Sequence, residues 1–99
     1  MVPRMSAYVI ASIDVHDPEG YEEYKAMSSA AAAAHGARFV ARGGAIDVLE
    51  GAWDKPRVVV LEFPDADAAR RWWASPEYAE ARAIRQRTAS TDMIVLEGL

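Results

Sequence analysis

Arg42 and Glu62 fall, by strand parity, on one face of neighbouring segments, among Tyr8, Ser12, Val40, Val58 and Val60. A largely apolar surface with a few convergent polar groups is how a small-molecule site is built. There the Arg42 guanidinium could hold a substrate carboxylate or enolate, and the Glu62 carboxylate could move a proton. The same two residues also suit a structural ion pair. Parity alone does not separate these roles.

His35 is the second candidate for proton chemistry. At the end of a helix an imidazolium favours the negative pole of the dipole; at a pocket rim the same group could act as acid or base. Glu62 and His35 are thus the candidate catalytic residues, and Tyr8, Ser12, Arg42, Trp72, Ser75 and Tyr78 the candidate ligand-binding set. Several of these have simpler roles beside the functional one. Ser75 caps a helix and Tyr78 packs behind it. Trp72 and Trp73 point roughly 100° apart on a helix, so one packs on the sheet while the other sits at its edge or over a pocket mouth. Arg82, Arg85 and Arg87 read as a solvated helical face.

No metal site is expected. Asp14, His16 and Asp17 are close in sequence, but Asp17 is needed as a helix cap and no further His or Cys stands with them. Gly43-Gly44 belongs to neither a dinucleotide fingerprint nor a phosphate loop, and no G-x-S-x-G or H-E-x-x-H motif occurs. No cofactor is therefore expected either.

The elements that must position these residues follow from periodicity. Tyr8 to Ile13 reads as a strand, and Asp17-Pro18-Glu19 as the start of a helix that runs to a stop at Gly36. Arg38 to Arg42 alternates polar and apolar, and Ala45 to Glu50 alternates again after Gly43-Gly44. The two stretches form either a hairpin or, as we favour, one strand bent at a glycine bulge. Arg57 to Phe63 is the strongest strand pattern. Pro64-Asp65 opens a second helix, broken at Ser75-Pro76-Glu77 and resumed to about Arg87. Thr91 to Glu97 is the last strand. The order is β-α-β-β-α-β. The endings Val48-Leu-Glu-Gly51 and Val95-Leu-Glu-Gly98 could echo a duplicated βαβ unit or arise by chance.

The chain has 99 residues, which bounds it to one domain, read as residues 6–99 behind a disordered extension at 1–5. Apolar residues make up 52% and charged residues 26%, an ordinary globular balance. The net charge of −4 argues against a nucleic-acid partner. The absence of cysteine excludes a thiolate site and fits a reducing compartment. The apolar stretch from Ala7 to Ile13 is too short to span a membrane or serve as a signal core. A bacterial protein of the cytoplasm is expected.

With right-handed crossovers this order puts both helices on one face of an antiparallel sheet, a ferredoxin-like α+β sandwich. Val9, Ile13, Phe39, Val59, Leu61, Phe63, Ile94 and Leu96 share the parity suited to helix cover. The other parity, with Tyr8, Ile10, Ser12, Val40, Arg42, Val58, Val60, Glu62, Met93 and Val95, is also mostly apolar, and no element remains to cover it. A second copy, sheet to sheet, is the simplest cover, so a homodimer is expected.

The chain from about Ser6 to Gly98 resembles domain-of-unknown-function family 1330, in the dimeric α/β-barrel superfamily. The likeness rests on the Ala7-Tyr8 strand, Asp17-Pro18 with Tyr21, Gly36, Arg42-Gly43-Gly44, Glu50-Gly51, Arg57, Glu62-Phe63-Pro64, Trp72-Trp73, Ser75-Pro76-Glu77-Tyr78 and Glu97-Gly98. It implies the fold and a dimeric α/β barrel, and no particular activity. The wider superfamily holds cofactor-free monooxygenases, haem-degrading enzymes, isomerases, decarboxylases and simple binding modules, so fold alone does not fix a reaction. Two expectations stand together: a cofactor-free enzyme on an organic acid or enolisable compound held between sheet and helices, and a non-catalytic ligand-binding or stress-related module.

Overall fold

The computed structural model describes residues 6–99; the N-terminal extension expected at 1–5 lies outside the described residues. The chain runs β1 (Ala7–Val15), α1 (Pro18–Ala34), β2 (Arg38–Arg42), β3 (Arg57–Phe63), α2 (Ala66–Ala74), α3 (Pro76–Thr88) and β4 (Ala89–Glu97). Each helix begins where its chemistry allows. The Asp17 carboxylate accepts from Gly20 N at 3.3 Å, Asp65 from Ala68 N at 2.7 Å, and the Ser75 hydroxyl from Tyr78 N at 3.2 Å. Pro18 and Pro76 fill first-turn positions that need no N–H donor. α1 stops at Gly36, whose φ of 74° lets Gly36 N reach the Ala33 carbonyl and Ala37 N the Ala32 carbonyl. That pair of bonds satisfies carbonyls the helix would leave bare.

The sheet order is β2-β3-β1-β4, with every neighbouring pair antiparallel. Helices cover one face. Val9, Ala11 and Ile13 of β1 and Val59, Leu61 and Phe63 of β3 pack beneath Tyr21, Tyr24, Trp72, Tyr78, Ala81 and Ile84. The chain measures 45 × 37 × 16 Å, a slab one sheet and one helix layer thick. The architecture is the ferredoxin-like α+β sandwich expected from the element order.

Three expectations need correction. β2 is not a strand bent through residue 50: it ends at Arg42, and residues 43–56 form a connection outside the sheet, with Ile46, Val48, Leu49 and Trp53 exposed. Alternation in Ala45–Glu50 had no neighbouring strand to pair with. Val48–Gly51 therefore lies in this connection while Val95–Gly98 ends β4, and the repeated ending marks no structural duplication.

The parity of β4 is also the reverse of the one expected. Register sets Thr91 opposite Ile13, Met93 opposite Ala11 and Val95 opposite Val9 on the helix side. Ile94 and Leu96 oppose Ile10 and Tyr8 on the open face. In Met-Ile-Val-Leu both parities are apolar, so pattern could not choose between them.

The third correction concerns Arg42. The ladder pairs Phe39 with Leu61 but Ala41 with Val60 and Arg42 with Val59, so a bulge at Val40 uses one extra residue. Every side chain after it changes face. Arg42 thus lies on the helix side, away from the face that carries Glu62.

Candidate functional site

Glu62 sits on the open face, opposite Tyr8 in the ladder. Arg38, not Arg42, reaches it: Arg38 Nε donates to Glu62 Oε1 at 2.7 Å, and the Tyr8 hydroxyl donates to Oε2 at 3.3 Å. The hydrogen bond from Arg38 holds the Glu62 carboxyl below the usual glutamate range. Together with Ser6, Gly36 and Pro64 it borders a depression of about 230 Å³. Arg42 instead donates from Nη1 to Ser29 Oγ at 2.9 Å and from Nη2 to the Lys25 carbonyl at 2.8 Å, with its guanidinium 4.0 Å over the Phe39 ring. The expected Arg42–Glu62 pair does not form.

His35 is the C-cap of α1. Its Nε2 lies 3.7 Å from Glu77 Oε2, too long for a hydrogen bond and close enough for an ion pair when the ring is protonated. Ser75 joins α2 to α3: its hydroxyl donates to the Trp72 carbonyl at 2.7 Å while capping Tyr78 N. Ser12 lies on the open face opposite Val58. None of Tyr8, Ser12, His35, Arg42, Glu62 and Ser75 lines the largest cleft.

That cleft, of about 510 Å³, opens between α2, α3 and the β4 side of the sheet. Its walls are Val9, Ala69, Met93 and Val95, with Trp73 at the rim, 44% exposed, beneath the Arg82 guanidinium at 4.5 Å. Three residues that carry polar groups border this largely apolar space. Trp72 is buried against Phe63, ring centroids 5.4 Å apart, and against Tyr78 at 4.2 Å, and its Nε1–H has no partner among the described residues. Thr91 Oγ1 is buried and unpartnered in the same sense. Arg85 is only 5% exposed.

Arg85 is the residue that sequence reasoning missed. Its face of α3 was expected to be solvated, yet Tyr78, Ala81, Arg85 and Thr88 form the buried stripe of the helix. The spacing of three, four and three residues was the signal: Arg85 stands where a core residue belongs. Nε donates to the Tyr78 hydroxyl at 3.2 Å, and that hydroxyl meets Tyr24 Oη at 2.8 Å. Burial, with Tyr78 nearby, pushes the Tyr24 phenol well above its ordinary pKa, so Tyr24 is neutral. Among the described residues no carboxylate forms an ion pair with Arg85. A full positive charge, already out of water, therefore faces an apolar cleft with only a phenol behind it.

No Asp, Glu, His, Lys or Tyr lines this cleft among the described residues. The site can hold and polarise a ligand, but the lining offers no proton acceptor of ordinary basicity. Nor do three His, Asp or Glu side chains converge as a metal set among those residues.

Ferredoxin-like sandwiches with a cleft between sheet and helices are the class to which this arrangement belongs. Within it, the chain belongs to the family described as Domain of unknown function (DUF1330), which matches residues 6–99. No curated protein matches the chain. Among solved structures it is similar to a protein of unknown function from Rhodopseudomonas palustris, at 22% identity over 98% of this chain and 85% of that one, TM-score 0.77. It is also similar to SnoaB, a cofactor-independent oxygenase from Streptomyces nogalater, at 22% identity over 95% of this chain and 92% of that one, TM-score 0.61. A dimeric ferredoxin-like protein of unknown function from Thermobifida fusca matches at 22% identity over 100% and 95%, TM-score 0.62. At such identities the likeness is one of fold. Among the described residues no helix is long and apolar enough to cross a membrane.

Proposed function

We propose that this protein is a homodimer whose cleft between sheet and helices binds a small organic molecule. The observation that carries the reading is a buried Arg85, without a carboxylate partner among the described residues, on the wall of one largely apolar cleft, beside Trp72 and Thr91, whose Nε1–H and hydroxyl are buried and unpartnered. Buried polar groups left without partners each cost about 1–3 kcal/mol, and charged ones more. A ligand that satisfies them offsets that cost. The uncovered apolar sheet face and the dimeric neighbour of the same fold support the twofold assembly. A cysteine-free chain suits a reducing compartment, and the cytoplasm is the location we propose.

A second reading, catalysis without a cofactor, is favoured by one feature: a fixed cation in a largely apolar cleft stabilises an enolate as well as a carboxylate. SnoaB, with the same fold, is a cofactor-independent oxygenase. Since the lining holds no general base, such chemistry here would start from a substrate that ionises readily by itself. Native mass spectrometry of protein purified from its own host tests the common core of both readings. The dimer should carry excess mass of a small organic compound, and Thr91→Trp, which fills the cleft, should abolish it. Retention of the compound in Thr91→Trp would move the binding site elsewhere.

A further inference from the structure

We infer that the ligand is a hydrophobic organic monoanion whose single charge is spread over two oxygens, a carboxylate or a conjugated enolate, seated on Arg85. This rests on the cleft being the binding site and goes further in naming what the cleft selects.

The charge count comes first. Arg85 is ionised at any physiological pH, is buried, and has no carboxylate partner among the described residues. The other arginine lining the cleft, Arg70, is exposed and already paired with Asp67 at 2.8 Å. Arg82, over Trp73 at the rim, is partly exposed to water, so one buried unmet positive charge remains and calls for one negative charge. A dianion would leave its second charge against Val9, Met93 and Val95, where nothing neutralises it.

Donor chemistry comes next. A guanidinium presents parallel N–H groups that match two oxygens sharing one charge. Trp72 Nε1–H can only donate, so it too calls for an acceptor. Thr91 Oγ1 can donate as well, or accept from a ligand hydroxyl. Arg85 therefore suits an oxygen-rich, electron-rich end of a ligand, and the buried Trp72 and Thr91 groups beside it add nothing that requires a cation. Apart from the exposed Arg70 and Gln86, the remaining walls are apolar, so the rest of the ligand is too.

Tyr78 is a positioning residue. With 0% exposure it fixes Arg85 through Nε and is itself fixed by Tyr24. Only the outer edge of the guanidinium is left for a ligand.

The test uses two probes of nearly equal shape, 2-naphthoate and the uncharged 2-naphthamide, titrated by calorimetry into the intact protein at neutral pH. Naphthoate should bind at least about tenfold more tightly than the amide. Arg85→Met should lose that preference by weakening naphthoate while leaving naphthamide unchanged. Arg85→Lys, which keeps the charge and loses the fork, should fall between the two and serves if the Met variant does not fold. Thr91→Trp should block both probes. Equal affinity of the two probes for the unaltered protein would overturn the anion inference and leave the cleft as a binding site. Failure of both probes to bind would overturn the inference together with the reading beneath it. Naphthoate binding that survives Thr91→Trp would also overturn it, by placing the anion outside the cleft.

Discussion

A buried arginine that no carboxylate answers among the described residues is a cost carried by the folded chain, and it gives Arg85 a signature in stability as well as in binding. Replacing it with Met keeps an unbranched apolar stem and removes the charge; Tyr78 still holds its hydrogen bond to Tyr24. Arg85→Met should therefore raise the ligand-free stability by about 1–3 kcal/mol, read as a rise in melting temperature of roughly 4 °C or more. A fall of that size would make Arg85 a structural fixture. Glu62 carries the opposite kind of signature. Its folded pKa is depressed by the hydrogen bond from Arg38, so its contribution is full above the ordinary glutamate value and is lost as pH falls through the depressed one. Glu62→Gln should flatten the acid side of the stability profile below about pH 4.5, measured by urea midpoints, and leave naphthoate binding untouched. At this scale the residue types in the sequence were readable but their faces were not. One bulge moves Arg42 to the helix side, and the three-four-three spacing of a core stripe is masked on α3 because its third member, Arg85, is charged.

The elements themselves were legible wherever a cap announces them. Asp17-Pro18, Asp65 and Ser75-Pro76 each start a helix at the expected place, and Gly36 ends one. These signals work because the first N–H groups and last carbonyls of a helix must find partners, and few residue types supply them. What was not legible depends on neighbours distant in sequence: the register of β4, and the absence of any strand to pair with residues 45–50. Ser75 is the element-scale joint that matters most for the cleft. It closes α2 through the Trp72 carbonyl and opens α3 through Tyr78 N, so it sets the angle between the helices carrying Trp72 and Arg85. Ser75→Ala should cost about 0.5–2 kcal/mol and weaken naphthoate binding as well, because Trp72 and Arg85 lose their common anchor. Ser75→Asp, which restores the cap acceptor, should recover part of the stability. A stability loss with unchanged affinity would show that the joint does not shape the cleft.

For the whole molecule, the deciding fact is that, among the described residues, nothing covers one face of the sheet. Ile94 and Leu96 are 55% and 51% exposed, beside Ile10, Val58 and Val60 of the central strands. The 43–56 connection adds Leu49 at 92% exposure and Trp53 at 55%. An apolar surface of this extent, on a slab 16 Å thick, is the kind that a soluble chain buries against a partner. Self-pairing is the economical solution because a twofold axis uses the same patch twice. It would also enclose the Tyr8–Glu62–Arg38 cluster, whose bonds already satisfy its charges before the faces meet. Light scattering at micromolar concentration should therefore return about twice the 10.8 kDa of one chain. Val60→Asp puts an unpaired carboxylate in the middle of that contact, at a cost of several kcal/mol. The residue is only partly buried in the protomer and contributes nothing to the cleft. The variant should consequently run as a folded monomer or unfold, and in the monomer the Arg85 cleft should still take naphthoate. A folded monomer of the unaltered chain, or a Val60→Asp dimer as stable as the parent, would mean that the open face is covered by something other than a second copy.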